Sequence, residues 1–230
     1  MPSVAATPWS SAAADRPAVN DCEVFGDGFW GQPVNALTSL AFVLVGLAIL
    51  IGYRRGGATR VVYGALVAAT GVGSVVFHGP APSWSGLLHD VPLVALVAFV
   101  GVDAASDVAG RRLSPLWWVL PTIVAVTVSE IADAARPAAQ GAVAALAIGA
   151  CVVRWYRRPL LRQTMATALA LLTVGALIGT LSRSGGPLCD PDSVLQGHAF
   201  WHVLAALAVW TLTPVISERT GSVQVVPQDR

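Results

Sequence analysis

Lysine is absent from the 230 residues, so every basic side chain other than histidine is arginine. Charged residues of both signs make up only 12% of the chain, about half the share of a soluble domain. That shortage excludes an ordinary water-facing surface. The formal net charge of +1 leaves no basic field for a nucleic acid and no acidic field for a cationic partner. Cysteine is scarce as well, and three of them are too few for a disulfide scaffold. No internal repeat is present, and no linker is long enough to divide the chain. The first thirty residues lack a basic stretch followed by an apolar run, so a cleavable signal peptide is not expected. Residues 1–19 and 217–230 are polar or Ala/Ser/Pro-rich and read as disordered tails around one domain, 20–216.

What fills the sequence instead is apolar: 55% of residues, with a mean hydropathy of +0.66. A bilayer core takes roughly 20 mostly apolar helical residues per span. Seven segments answer to that description: Asn35–Tyr53, Val61–His78, Gly86–Val102, Pro115–Ile131, Ala138–Tyr156, Thr164–Leu181 and Leu195–Ile216. The fold expected is therefore all-α, an integral bundle of seven transmembrane helices. Arginine sets the orientation. Arg54, Arg55, Arg60, Arg111, Arg112, Arg154, Arg157, Arg158, Arg162, Arg219 and Arg230 fall on one side, against Arg16, Arg136 and Arg183 on the other. The N-terminus is placed outside and the C-terminus in the cytoplasm. The Ala/Val/Gly/Arg bias suits a high-GC bacterium and its plasma membrane.

Ionisable groups within spans are costly and usually face a cavity or a partner. In this topology His78 ends the second span, Asp90 opens the third, and His198 and His202 open the seventh, all at the outer side. Ser74 lies one turn from His78. His198 and His202 are i, i+4, so their rings share a helix face. Such a pair, completed by His78 from another helix, matches a catalytic zinc site of three histidines with one position open. Hydrogen-bonded packing histidines are the plain alternative. A haem would need histidines on opposite faces of a porphyrin, which an i, i+4 pair does not supply. His89, about 100° from Asp90 around the helix, reads as interfacial, and Glu130 as a solvated helix end.

The run Gly73-Ser74-Val75-Val76-Phe77-His78, then Asp90-Val91-Pro92, then His198-Ala199-Phe200-Trp201-His202 resembles the alkaline ceramidases. Asp21-Cys22-Glu23, and Gln32-Pro33-Val34-Asn35 leading into Ser39, are similar to the start of that domain. The wider superfamily includes the adiponectin and progestin receptors, with seven spans and a Ser, Asp and three-His zinc site. The resemblance covers about residues 20 to 212. It implies zinc on His78, His198 and His202, with Ser74 and Asp90 beside the reacting water, Asp90 as general base and Ser74 stabilising the oxyanion. It also implies a Cys22–Cys189 disulfide on the outer side, leaving Cys151 as a packed free thiol. A family calcium site would map to Asn20, Asp21, Glu23, Phe25 and Gln32. There a glutamate is expected where Gln32 stands and a polar residue where Phe25 stands, so calcium is disfavoured.

The activity this implies is zinc-dependent hydrolysis of the amide bond in ceramide or another N-acyl lipid, with lipid and membrane as the only partners. Two alternatives share the residues. One is a receptor-like lipid sensor with structural zinc; the other is an ester hydrolase or transacylase.

Overall fold

The computed structural model describes residues 20–26, 28–53 and 57–217. Both expected tails, apart from Ser217, lie outside the described residues, as do Arg16, Arg54, Arg55, Arg219 and Arg230. The chain forms seven α-helices: α1 Pro33–Gly52, α2 Ala58–His78, α3 Ser85–Val108, α4 Leu116–Ile131, α5 Arg136–Arg157, α6 Arg162–Leu181 and α7 Gly197–Leu212. Short 3-10 turns, Asp133–Ala135, Pro159–Leu161 and Thr213–Val215, extend the starts of α5 and α6 and the end of α7. Among the described residues the one β pairing is a single antiparallel bridge between Asp21 and Arg183.

Six of the helices are long and apolar enough to cross a membrane. The seventh, α4, has 16 residues and falls short of the length expected of it. Helix is the form such segments must take, because lipid offers no partner to backbone N–H and C=O groups. The outward faces confirm the solvent. Leu146 is 74% exposed, Val124 60%, Leu177 58% and Ile123 56%, a surface that lipid tolerates and water does not. This is a multi-pass membrane protein.

Helix α3 is packed by α2, α4 and α5, and α7 is packed by α1 and α6. Apolar residues gain little from leaving lipid for protein, so close packing and buried polar contacts hold such a bundle together. The centre is Phe42, Ile49, Tyr63, Val67, Leu96, Phe99, Ala205, Ala206, Val209 and Ile216. Tyr63 is fully buried there and donates its hydroxyl to the Val209 carbonyl at 2.6 Å.

The expected end of the third span at Val102 is corrected by the structure. Helix α3 runs on to Val108 and brings Asp103 and Asp107 inside the bundle. Arg154, counted in the sequence among the arginines of the cytoplasmic side, is 2% exposed in α5. Its guanidinium meets Asp103 at 3.1 Å and Asp107 at 2.9 Å and donates to the Val215 carbonyl, and Arg158 meets Asp107 at 2.9 Å. Neutralised this way, Asp103, Asp107 and Arg154 persist as charges within the helices, with Arg158 just past the end of α5. The network closes the bundle at the end opposite the histidines. Arg60, Arg111, Arg112, Arg157 and Arg162 lie toward that same end, at the start of α2, after α3 and about the α5–α6 turn.

Candidate metal centre

Two helices deliver the histidines to one end of the bundle: His78 from the last turn of α2, His198 and His202 from the first turns of α7. The rings lie close, with centroid separations of 5.0 Å for His78–His198, 5.1 Å for His78–His202 and 4.6 Å for His198–His202. One ring nitrogen from each falls within 4.8 Å of the others, and His78 and His202 are buried. Among the described residues this is the one group of His, Cys, Asp or Glu side chains arranged to hold a metal ion.

Glycine permits the approach. A methyl group at Gly197, next to His198, would clash with the Ser182 hydroxyl of the α6 end; one at Gly73 would clash with the Leu88 carbonyl of α3. The second contact seats the first turns of α3 against α2 at Gly73, the residue before Ser74.

The hydrogen bonds decide which nitrogen each ring offers. Gln32 is 1% exposed, and its Nε2 donates to the Glu23 carbonyl at 2.5 Å. Its Oε1 therefore faces His78 Nδ1 at 2.6 Å as an acceptor. His78 must carry its proton on Nδ1, and its Nε2 is buried with no hydrogen-bond partner. For His202, the flanking hydroxyls of Thr38 and Ser39 both donate to backbone carbonyls, of Val34 and Asn35. Their oxygens remain as acceptors 3.2 and 3.3 Å from His202 Nδ1. The Nε2 of His202 then lies 3.4 Å from Ser74 Oγ. His198 has its Nδ1 3.2 Å from Asp21 Oδ1. In His78 and His202 an acceptor holds the Nδ1 proton and leaves Nε2 free, and the Asp21 carboxylate stands beside the Nδ1 of His198. Metal-ligating histidines are fixed by such partners, and an orphaned buried nitrogen is the expected mark of a missing ligand. The residues fit a divalent metal such as zinc.

Ser74 is buried and shares a 2.8 Å hydrogen bond with Ser39. Because the Ser39 proton goes to Asn35, Ser74 is the donor in that bond. Asp90 sits at the start of α3, its Oδ2 taking bonds from Arg136 and from Gln140 at 2.8 Å, both on α5. Its Oδ1 lies 2.8 Å from His89 Nδ1. The His89 ring rests on Phe77, centroids 4.8 Å apart, and stands 6.3 Å from His78. The separation of about 100° between positions 89 and 90 thus turns Asp90 toward α5 and His89 toward the histidines, where sequence reasoning had set His89 aside. Glu130 is half exposed and 3.5 Å from Arg136.

Cys22 and Cys189 form a disulfide, and Cys151 is a free thiol. The two described carboxylates of the segment before α1 are engaged separately. Both Glu23 oxygens accept backbone N–H groups at the start of α1, of Val34 at 2.7 Å and Asn35 at 2.8 Å, a favourable place for a carboxylate. Asp21 faces the histidines instead. Burial pushes its carboxyl up to about 6, against the opposing pull of Arg183 and His89. Thr38, and Asp21 and Gln32, which the sequence offered only as calcium positions, are the partners of the centre that sequence reasoning missed. Nearness was the available signal: a bridge from Cys22 to Cys189 holds Asp21 close to the start of α7.

The sequence matches no protein-family model and no curated protein. What sequence and structure establish together is an all-helical, multi-pass membrane protein with a buried three-histidine centre able to hold a divalent metal ion.

Proposed function

We propose that this protein is a zinc-dependent membrane hydrolase that cleaves the amide bond of ceramide or a related N-acyl lipid. One observation carries the reading: three histidine rings gathered together, each with a polar partner at its Nδ1, and a serine hydroxyl 3.4 Å from the Nε2 of one of them. A structural zinc site uses four protein ligands, whereas three histidines leave a position for substrate. The resemblance to the alkaline ceramidases supports the amide over other carbonyl substrates. The apolar helices around the centre suit an acyl chain.

Zinc held by three imidazoles supplies Lewis acidity and draws the pKa of water down toward neutrality. The chain's own groups supply the rest. Asp90, fixed by Arg136 and Gln140, holds the His89 ring, and this pair takes a proton from the attacking water. The water oxygen bonds to the carbonyl carbon. The Ser74 hydroxyl, turning from Ser39, donates to the carbonyl oxygen as its charge develops. The C–N bond then breaks, and the same pair returns the proton to the departing nitrogen. One water is consumed, and a fatty acid and a free amine leave. With the arginine-rich end in the cytoplasm and α4 counted as the seventh span, the histidines open to the outer side of a bacterial plasma membrane.

The test is a hydrolysis screen of the purified protein against N-acyl lipids, ceramide included, read by mass spectrometry of both products. Fatty-acid release is expected from the zinc-loaded protein and not from His78→Ala. Zinc-replete protein that is inert across the panel refutes the proposal. Release from acyl esters alone moves the chemistry to ester hydrolysis.

A further inference from the structure

Asp21 precedes the first helix, yet its side chain is only 10% exposed. One oxygen, Oδ1, lies 3.2 Å from His198 Nδ1. The other, Oδ2, lies 3.7 Å from His78 Nδ1 and is buried with no hydrogen-bond partner. A carboxylate in this position is expensive, because burial without full hydrogen bonding disfavours charge. Its surroundings nevertheless leave it little freedom to withdraw. The backbone of Asp21 bridges to Arg183, and its carbonyl accepts the Ser184 hydroxyl at 2.7 Å. The next residue is disulfide-bonded to Cys189, and the one after that anchors the start of α1. The segment is clamped on both sides of an anion that the resting protein does not satisfy.

A dication among three neutral imidazoles would satisfy it. We propose that Asp21 is the charge partner of the metal centre: it holds His198 with Nε2 presented and sets the affinity for a divalent ion, while the Cys22–Cys189 bridge keeps it in place. This rests on the metal-binding half of the function proposed above and not on the amide chemistry. Asp21 is here a positioning residue. Carboxylates behind metal-bound histidines raise affinity by about 10–100-fold.

The experiment measures Zn2+ affinity by chelator competition on the full-length protein in detergent, with Co2+ absorption as a second readout. Asp21→Asn keeps the size and one acceptor oxygen but removes the charge. It is expected to weaken Zn2+ binding by about tenfold or more, with the Co2+ ligand-field band keeping its wild-type shape. The Cys22→Ser/Cys189→Ser protein is expected to bind more weakly as well, and Asp21→Asn is expected to cost less in that background. Asp21→Asn protein with Zn2+ affinity within about twofold of wild type overturns the inference, as does a changed Co2+ band, which would make Asp21 a direct ligand. Wild-type protein that binds no metal overturns the metal-centre reading itself, a distinguishable failure.

Discussion

Gln32→Met tests whether the tautomer of one histidine is set by one buried amide. Gln32 is 1% exposed and joins His78 Nδ1 at 2.6 Å to the Glu23 carbonyl at 2.5 Å. Methionine matches its length but neither accepts nor donates strongly. Two buried polar groups are then stranded, at about 1–3 kcal/mol each. Asp21 Oδ2, 3.7 Å from His78 Nδ1, can recover part of the first, so a net loss of about 2–4 kcal/mol is expected. The His78 proton is held less firmly on Nδ1, and metal has to compete with it for Nε2. A fall of about 10–100-fold in Zn2+ affinity follows, or about 1.4–2.7 kcal/mol. Gln32→Glu separates the two effects. A carboxylate still accepts from His78 but cannot donate to Glu23, so metal affinity should hold while stability falls. Chelator competition and thermal unfolding in detergent measure the pair. Gln32→Met protein binding Zn2+ within about twofold of wild type would refute the tautomer argument.

Three further outcomes follow from the same contacts. Ser74→Ala should keep its zinc, read by metal analysis, and lose about 10²–10³-fold in fatty-acid release if its hydroxyl meets the oxyanion. Arg154→Met leaves Asp103 and Asp107 buried without their main partner; a loss of about 3–5 kcal/mol is expected in detergent unfolding, with zinc stoichiometry unchanged. Gly73→Val must push α3 away from α2 at the Leu88 carbonyl, costing about 1–3 kcal/mol and slowing release more than it weakens zinc, because His89 and Asp90 move with α3.

Periodicity and charge made much of this legible. Apolar runs located the helices, and the i, i+4 spacing of His198 and His202, taken with His78 at a matching depth, located the centre. The disulfide was anticipated only through resemblance to a family. What escaped was non-local. Whether position 89 or 90 faces the histidines depends on the rotation of α3, which the close contact at Gly73 helps fix; a one-residue difference on a helix is invisible to hydropathy. Gln32 and Asp21 act through contacts 46 and 177 positions away, to His78 and His198, and nothing in their local sequence announces them. The charged end of α3 was cut off because Asp103 and Asp107 look like loop residues. Their spacing offered a clue, since Arg154 and Arg158 repeat the same i, i+4 interval at the end of α5.

The shortness of α4 bears on the bilayer itself. Sixteen residues span about 24 Å, roughly 6 Å less than a typical hydrocarbon core. If α4 crosses as the seventh span, the membrane beside it must thin, or admit water, at a modest cost per ångström. At its far end α4 passes through the Asp133–Ala135 turn into α5, whose first residue, Arg136, holds Asp90. A dip in the lipid surface at that turn would bring headgroups down toward the level of the site. A lipid whose scissile bond lies just below its headgroup would then have a shorter way to travel before it meets the protein.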